Sequence, residues 1–180
     1  MDNYIEGLYS KYTPIIQKLI DDNKKFYFFN SQIEWRFFTN EDKGLIATSE
    51  NLELKVNIIS VDSAYKMGEP LMIEFFILHE IRHIWQKRCV NLLNTGSCPN
   101  VLLAERYKSE FDNYCNFYKS KEGYYNQQIE FEAFIFSYSV IRYKYGDVKY
   151  INYPSFYDEQ NIGVEEHVNR WLHLFEMNNL

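Results

Sequence analysis

One segment constrains this chain more than any other: Ile77-Leu78-His79-Glu80-Ile81-Arg82-His83-Ile84-Trp85-Gln86. It sets His-Glu-x-x-His in an apolar run long enough to form a helix. At ~3.6 residues per turn, His79 and His83 fall one turn apart on the same face. Two imidazoles at that spacing can bind a single Zn²⁺ through nitrogen. Glu80 sits about 100° round the helix from His79, within reach of a water on the metal without being a ligand. The pattern suits metal-assisted hydrolysis, with the two His as ligands and Glu80 as general base. The flank of Ile73, Phe75, Phe76, Ile77, Leu78, Ile81, Ile84 and Trp85 is apolar, so the helix is expected to be buried. Buried His and Glu side chains need partners, because unpaired polar groups are costly there. A bound metal supplies the partner; a surface helix with two incidental His is the alternative.

Composition limits the rest. A chain of 180 residues is long enough for one domain, 1–180, with a real core. A hydrophobic fraction of 46%, with sixteen Tyr and fourteen Phe, excludes intrinsic disorder. The net charge is −6 and no run of Lys and Arg forms a basic stripe, so no nucleic-acid partner is expected. Met1-Asp2-Asn3-Tyr4 has no basic stretch followed by an apolar one and no apolar run approaches the ~20 residues of a membrane span, so neither a signal peptide nor a membrane partner is expected. Cys89, Cys98 and Cys115 are odd in number, and none is paired at metal-ligand spacing. They are expected to be reduced thiols of a cytoplasmic protein rather than a Cys-based zinc site. Richness in Asn, Lys, Ile and Tyr is compatible with an AT-rich bacterial or phage coding sequence.

Periodicity predicts an α+β fold: a helix, a small antiparallel sheet, then further helices around the motif helix. The first helix spans about 4 to 22, with a kink or fresh start at Pro14. Strand candidates are Lys25 to Asn30, Gln32 to Phe38, Leu45 to Thr48 and, most clearly alternating, Leu52 to Ile59. Gly68 and Pro70 mark the start of the motif helix, expected over about 70 to 89. Asn91 to Asn100 reads as a loop and Val101 to Lys119 as a helix that Lys121-Glu122-Gly123 breaks. A long helix from about Asn126 stops at Gly146, Val148 to Tyr153 is a short strand or linker, and a last amphipathic helix covers about Gly163 to Met177.

A catalytic zinc site needs a third protein ligand and an open position for water. No His lies between Gln86 and Cys98, which argues against the metzincin pattern. The next suitable element is Gln128-Ile129-Glu130-Phe131-Glu132-Ala133-Phe134, where two carboxylates stand in an apolar, aromatic helix. A Glu on a core-facing stripe needs a cation. Glu130 and Glu132 are both candidate ligands, and Glu130 is alternatively an ion-pair partner of Arg82 or Arg142.

His-Glu-x-x-His followed by a Glu-x-x-Ala helix resembles the gluzincin metallopeptidases. Among these are the minigluzincins, the CaaX prenyl-protease relatives and the ImmA/IrrE-type peptidases. The resemblance covers about residues 52 to 140 and implies a zincin-like fold. It also implies Glu130 as third Zn²⁺ ligand, Ala133 as the small residue at the helix crossing, and Glu132 away from the metal. The Glu53–Ile59 strand would be the edge that holds extended substrate. Where those families often carry Asp or Asn to orient a ligand His, this chain has Phe134.

The expectation is therefore a zinc metallopeptidase that acts on a peptide or protein substrate, with metal ligands His79, His83 and Glu130 and catalytic Glu80. Oxyanion donors are sought among Tyr124, Tyr125, Tyr138, His167, expected solvated, and His173, expected half-buried. The alternative is a catalytically inactive protein on the same scaffold, or a phage or mobile-element binding protein whose Tyr-rich surface makes protein contacts.

Overall fold

Pro70 opens the central helix. Proline at a first helical position costs nothing in hydrogen bonding, because that N–H has no partner within the helix anyway. In the computed structural model, which describes residues 3–27, 32–42, 44–148, 151–159 and 163–180, the motif helix runs from Pro70 to Asn94 (α3). It extends five residues beyond the expected end and takes up the start of the expected loop. Its buried positions include Ile73, Phe75, Ile77, Leu78, Ile81 and Ile84, together with Glu74, His79, Arg82, His83 and Gln86. A helix apolar on most faces must be covered on most faces. Here the covering elements are the sheet, two flanking helices and, along the greatest length, a helix at Gln128–Tyr145 (α6).

Three short strands form the sheet: Trp35–Phe38 (β1), Ala47–Glu50 (β2) and Glu53–Asn57 (β3), in the order β1-β3-β2. β2 and β3 are an antiparallel hairpin in which Ala47 faces Val56 and Ser49 faces Leu54. Its turn residues Asn51 (φ 49) and Leu52 (φ 67) are both left-handed, the conformation that matches strand twist in a two-residue hairpin. β1 pairs parallel to β3, with Trp35 opposite Leu54. The sheet is therefore mixed, not antiparallel as expected. The chain leaving β1 passes β3 and enters on its far side as β2, and buried Asn57 fixes that crossing. Its Nδ2 donates to Asn40 O at 3.0 Å and Leu45 O at 3.0 Å. The same order corrects a second expectation: the alternating strand lies in the centre, with Leu54 and Val56 fully buried, and β2 is the edge on the motif-helix side.

The remaining helices are Asn3–Asp22 (α1), Ile58–Met67 (α2), Val101–Asp112 (α4), Lys121–Tyr125 (α5), Ser155–Glu159 (α7) and Val164–Met177 (α8). α1 continues through Pro14 without a fresh start. α2 takes the last two residues of the expected strand, because Asn57 Oδ1 accepts from Ile59 N at 3.3 Å and caps a helix there. Gly68, at φ 78, ends it. α4 stops seven residues before Lys119, and α5 forms where a break was expected, since Ser120 Oγ accepts from Gly123 N at 3.0 Å. Of the strand expected over Lys25 to Asn30, Lys25 and Phe26 belong to a 3-10 turn and 28–30 lie outside the described residues. Ile151–Tyr153 has no regular structure, and 149–150 are likewise outside. No helix among the described residues is long and apolar enough to cross a membrane.

Candidate metal centre

His79 and His83 project from one face of α3, their ring centroids 4.7 Å apart and their planes nearly perpendicular at 87°. α6 crosses that face and delivers Glu130. Its Oε2 lies 3.2 Å from His79 Nε2 and its Oε1 lies 3.3 Å from His83 Nε2. The two Nε2 atoms are 3.1 Å from each other. All three side chains are buried, Glu130 completely. His79, Glu80 and His83 each offer a ligand atom within 4.8 Å of the others, a group able to hold a metal ion. Glu80 is half-buried and faces the cleft beside the two His.

Three polar atoms aimed at one another rather than at separate partners make an unusual ion pair. Glu130 Oε2 has no aligned hydrogen bond despite its closeness to His79. The spacing has a simple interpretation. Nitrogen and oxygen ligands ~2.0–2.2 Å from a tetrahedral zinc stand roughly 3.3–3.6 Å from one another. The two imidazole nitrogens, 3.1 Å apart, and the carboxylate, with one oxygen 3.2 Å from the first and the other 3.3 Å from the second, are spaced close to those edges, so the donor set fits such an ion. In the metal-free protein the charge is held differently. Burial by itself would lower the pKa of His83, but the Glu130 carboxylate overrides it and pushes it up to about 9. Burial likewise opposes ionisation of Glu130, yet the two imidazoles hold its carboxyl well below the ordinary value.

The surroundings orient these groups. Gln86, one turn past His83, donates from Nε2 to Ile129 O at 3.1 Å. That bond turns its Oε1 to His83 Nδ1 at 2.8 Å. Nδ1 must then carry the hydrogen, which leaves the lone pair of neutral His83 on Nε2, towards Glu130 and His79. His79 has no such support: its Nδ1 is buried without a hydrogen-bond partner among the described residues, and the Phe134 ring packs on it at 4.4 Å. Tyr114 OH donates to Glu130 Oε1 at 2.8 Å. Glu132 points elsewhere, accepting from Arg82 at 3.3 Å and from Tyr107 OH, while Arg82 lies 3.8 Å over the Trp85 ring. Arg142 pairs with Asp147 and Glu165. The Glu130–Arg82 and Glu130–Arg142 pairings are therefore not formed.

The centre opens on a cleft of about 680 Å³. One wall is Leu45–Thr48 at the β2 edge; the other is aromatic, with Phe76, Tyr124, Tyr125 and Tyr153. Tyr124 and Tyr125 thus lie on the cleft, whereas Tyr138 packs on Tyr153 at 5.3 Å. His167 and His173 exchange their expected environments: His167 is half-buried against Phe131 and His173 is exposed. Gln86 and Tyr114 were not foreseen. The signal for Gln86 was in the sequence: an amide three residues after His83, on a helix too apolar to leave it in solvent.

No family model, no curated protein and no solved structure matches this chain, so the buried His-Glu-x-x-His group itself carries the functional argument.

Proposed function

We propose that this protein is a zinc-dependent metallopeptidase of the gluzincin type, with a zincin-like single domain, acting in the cytoplasm on a peptide or protein substrate. The convergence of His79 Nε2, His83 Nε2 and a Glu130 carboxylate on one point, at 3.1 to 3.3 Å, is the observation that carries this reading. Two imidazoles and a carboxylate suit zinc better than a hard, all-oxygen cation. When bound, zinc supplies a Lewis acid that polarises a carbonyl and lowers the pKa of water toward ~7.

The side chains then divide the work. His79, His83 and Glu130 hold the ion, and Gln86 keeps His83 in the tautomer that can ligate. Glu80, beside the two His and open to the cleft, removes the proton of the attacking water and returns it to the leaving amine. Tyr114 holds the Glu130 carboxylate, and Tyr125 on the cleft wall would donate to an oxygen that gains charge as the carbonyl is attacked. The β2 edge at Ala47 offers backbone groups to an extended segment.

Glu80→Gln tests this division. Zinc content should stay that of the parent while cleavage of denatured casein or an internally quenched peptide library falls by about 10²–10⁴-fold. Undiminished cleavage in Glu80→Gln would contradict the mechanism. A second reading, a zinc-holding protein that works by binding, is favoured by His79 Nδ1, which lacks the acceptor a ligating His usually has. It predicts zinc in the parent and no cleavage by parent or variant.

A further inference from the structure

The segment 113–120, between α4 and α5, lies along the mouth of the cleft, and its Tyr114, Asn116, Phe117 and Tyr118 line it. Its backbone bonds are local: Lys119 N and Ser120 N to Asn116 O, and Asn113 N to Ser109 O. One end is fastened firmly. Cys115 N donates to Gln127 Oε1 at 2.9 Å and Cys115 O accepts from Gln127 Nε2 at 2.9 Å, a two-point clamp on the residue before α6. The far end is fastened lightly. Tyr118, 80% exposed, reaches the opposite wall through a single phenol bond to Asp42, which precedes β2. The phenol also helps hold the Asp42 carboxyl below its ordinary value. Phe117 rests on Tyr124 at 5.7 Å and Tyr125 at 6.0 Å and is still 42% exposed. Inside the cleft, the same segment places Tyr114 OH on Glu130.

Beyond that clamp, residues 116–120 cross the cleft mouth with one exposed side-chain hydrogen bond among the described residues to hold them there, which gives them two natural positions, while Tyr114, on the α4 side of the clamp, stays on Glu130. We propose that residues 116–120 are a strap over the candidate metal centre, latched by Tyr118 on Asp42, and that release of this latch opens the cleft. The inference rests on the reading of this cleft as the metal site. An exposed bond between a phenol and a carboxylate is weak enough to open often and strong enough to favour the closed position. Asp42 is the passive half, because its Oδ1 also accepts from Gly44 N at 2.9 Å and so stays fixed when Tyr118 leaves.

Tyr118→Phe removes the latch oxygen and keeps the ring. In zinc-loaded protein its zinc content should match the parent, while transfer of zinc to a chromogenic chelator should quicken about five- to tenfold. Amide exchange should quicken over 116–120 and nowhere else. An unchanged transfer rate with zinc bound would overturn the strap as a gate. Faster exchange throughout the protein would also overturn it, since that outcome is general destabilisation. If the parent holds no zinc, the metal reading fails separately; equal exchange of 116–120 in parent and Tyr118→Phe would then overturn the latch as well.

Discussion

The interface between α3 and α6 buries two carboxylates, and the protein treats them in opposite ways. Glu74, near the start of α3, is fully answered. Asn23 Nδ2 donates to its Oε1 at 2.8 Å, Tyr145 OH to its Oε2 at 3.0 Å, and Lys144 forms a salt bridge with it. Lys144 also donates to Asn23 Oδ1 at 3.0 Å. Burial would depress the Lys144 pKa, but its bond to Glu74 raises it instead. Glu130, farther along the same interface, receives no Lys or Arg among the described residues. It meets two imidazoles whose nitrogens also face each other, and its Oε2 lacks an aligned bond. The first arrangement is complete within the chain and serves to tie α1, α3 and α6 together. The second leaves donor atoms pointing at a shared centre, as a ligand-holding site does.

The sharpest test of this contrast is a pair of substitutions with mirror outcomes. Glu74→Ala leaves half-buried Lys144 without its carboxylate and removes the acceptor of Asn23 and Tyr145, so urea unfolding should show a loss of about 1.5–3 kcal/mol. Its zinc content should equal the parent's. Glu130→Gln should lose zinc and, compared with chelated parent, lose stability near pH 7 but little above pH 9, where His83 is already neutral. Loss of zinc in Glu74→Ala with normal folding, or its retention in Glu130→Gln, would erase the distinction.

Gln86 comes next. Without its oxygen on Nδ1, His83 is no longer fixed in the ligating tautomer, and Gln86→Ala should weaken zinc binding about 10–100-fold in a competition assay. Acidity sharpens the same point. In metal-free protein the His83 pKa is raised from the usual 6.5 to about 9, so a proton must leave before zinc enters. Zinc affinity should therefore rise about tenfold per pH unit up to pH 9 and then level. The sign reverses for chelated protein. A raised pKa stabilises the fold fully below the unfolded value, and that contribution fades as pH climbs through about 9. Melting of chelated protein should thus weaken between pH 7 and 9, which calorimetry checks. The smallest effect is at Phe134. Phe134→Asn offers His79 Nδ1 an acceptor and should tighten zinc binding about three- to tenfold. Weaker binding with an intact fold would show that the ring packing on His79 matters more than the missing hydrogen bond.

The motif helix and the α6 carboxylates were legible because both rest on local pattern: His spacing at one turn, and acids in a run too apolar to leave them in solvent. The choice between Glu130 and Glu132 was not legible, because it depends on how α6 rotates against α3. The structure brings Glu130 to the His pair and Glu132 to Arg82 and Tyr107. α2 was hidden by its own sequence, since Ile58 and Ile59 extend the alternation of Leu54 and Val56. Only Asn57, as cap, and Gly68, as stop, mark the helix. The mixed sheet was beyond local pattern, as the order β1-β3-β2 comes from a crossing that the Asn57 side chain secures. Tyr114 was one of sixteen tyrosines with nothing in its immediate sequence to single it out.

The most direct measurement is the metal content of protein purified without chelator or metal-affinity resin, by elemental mass spectrometry. The account predicts about one zinc per chain, lost in His83→Ala and in Glu130→Gln and kept in Glu74→Ala. A normally folded parent that carries no metal, and takes none up from added zinc, would contradict it.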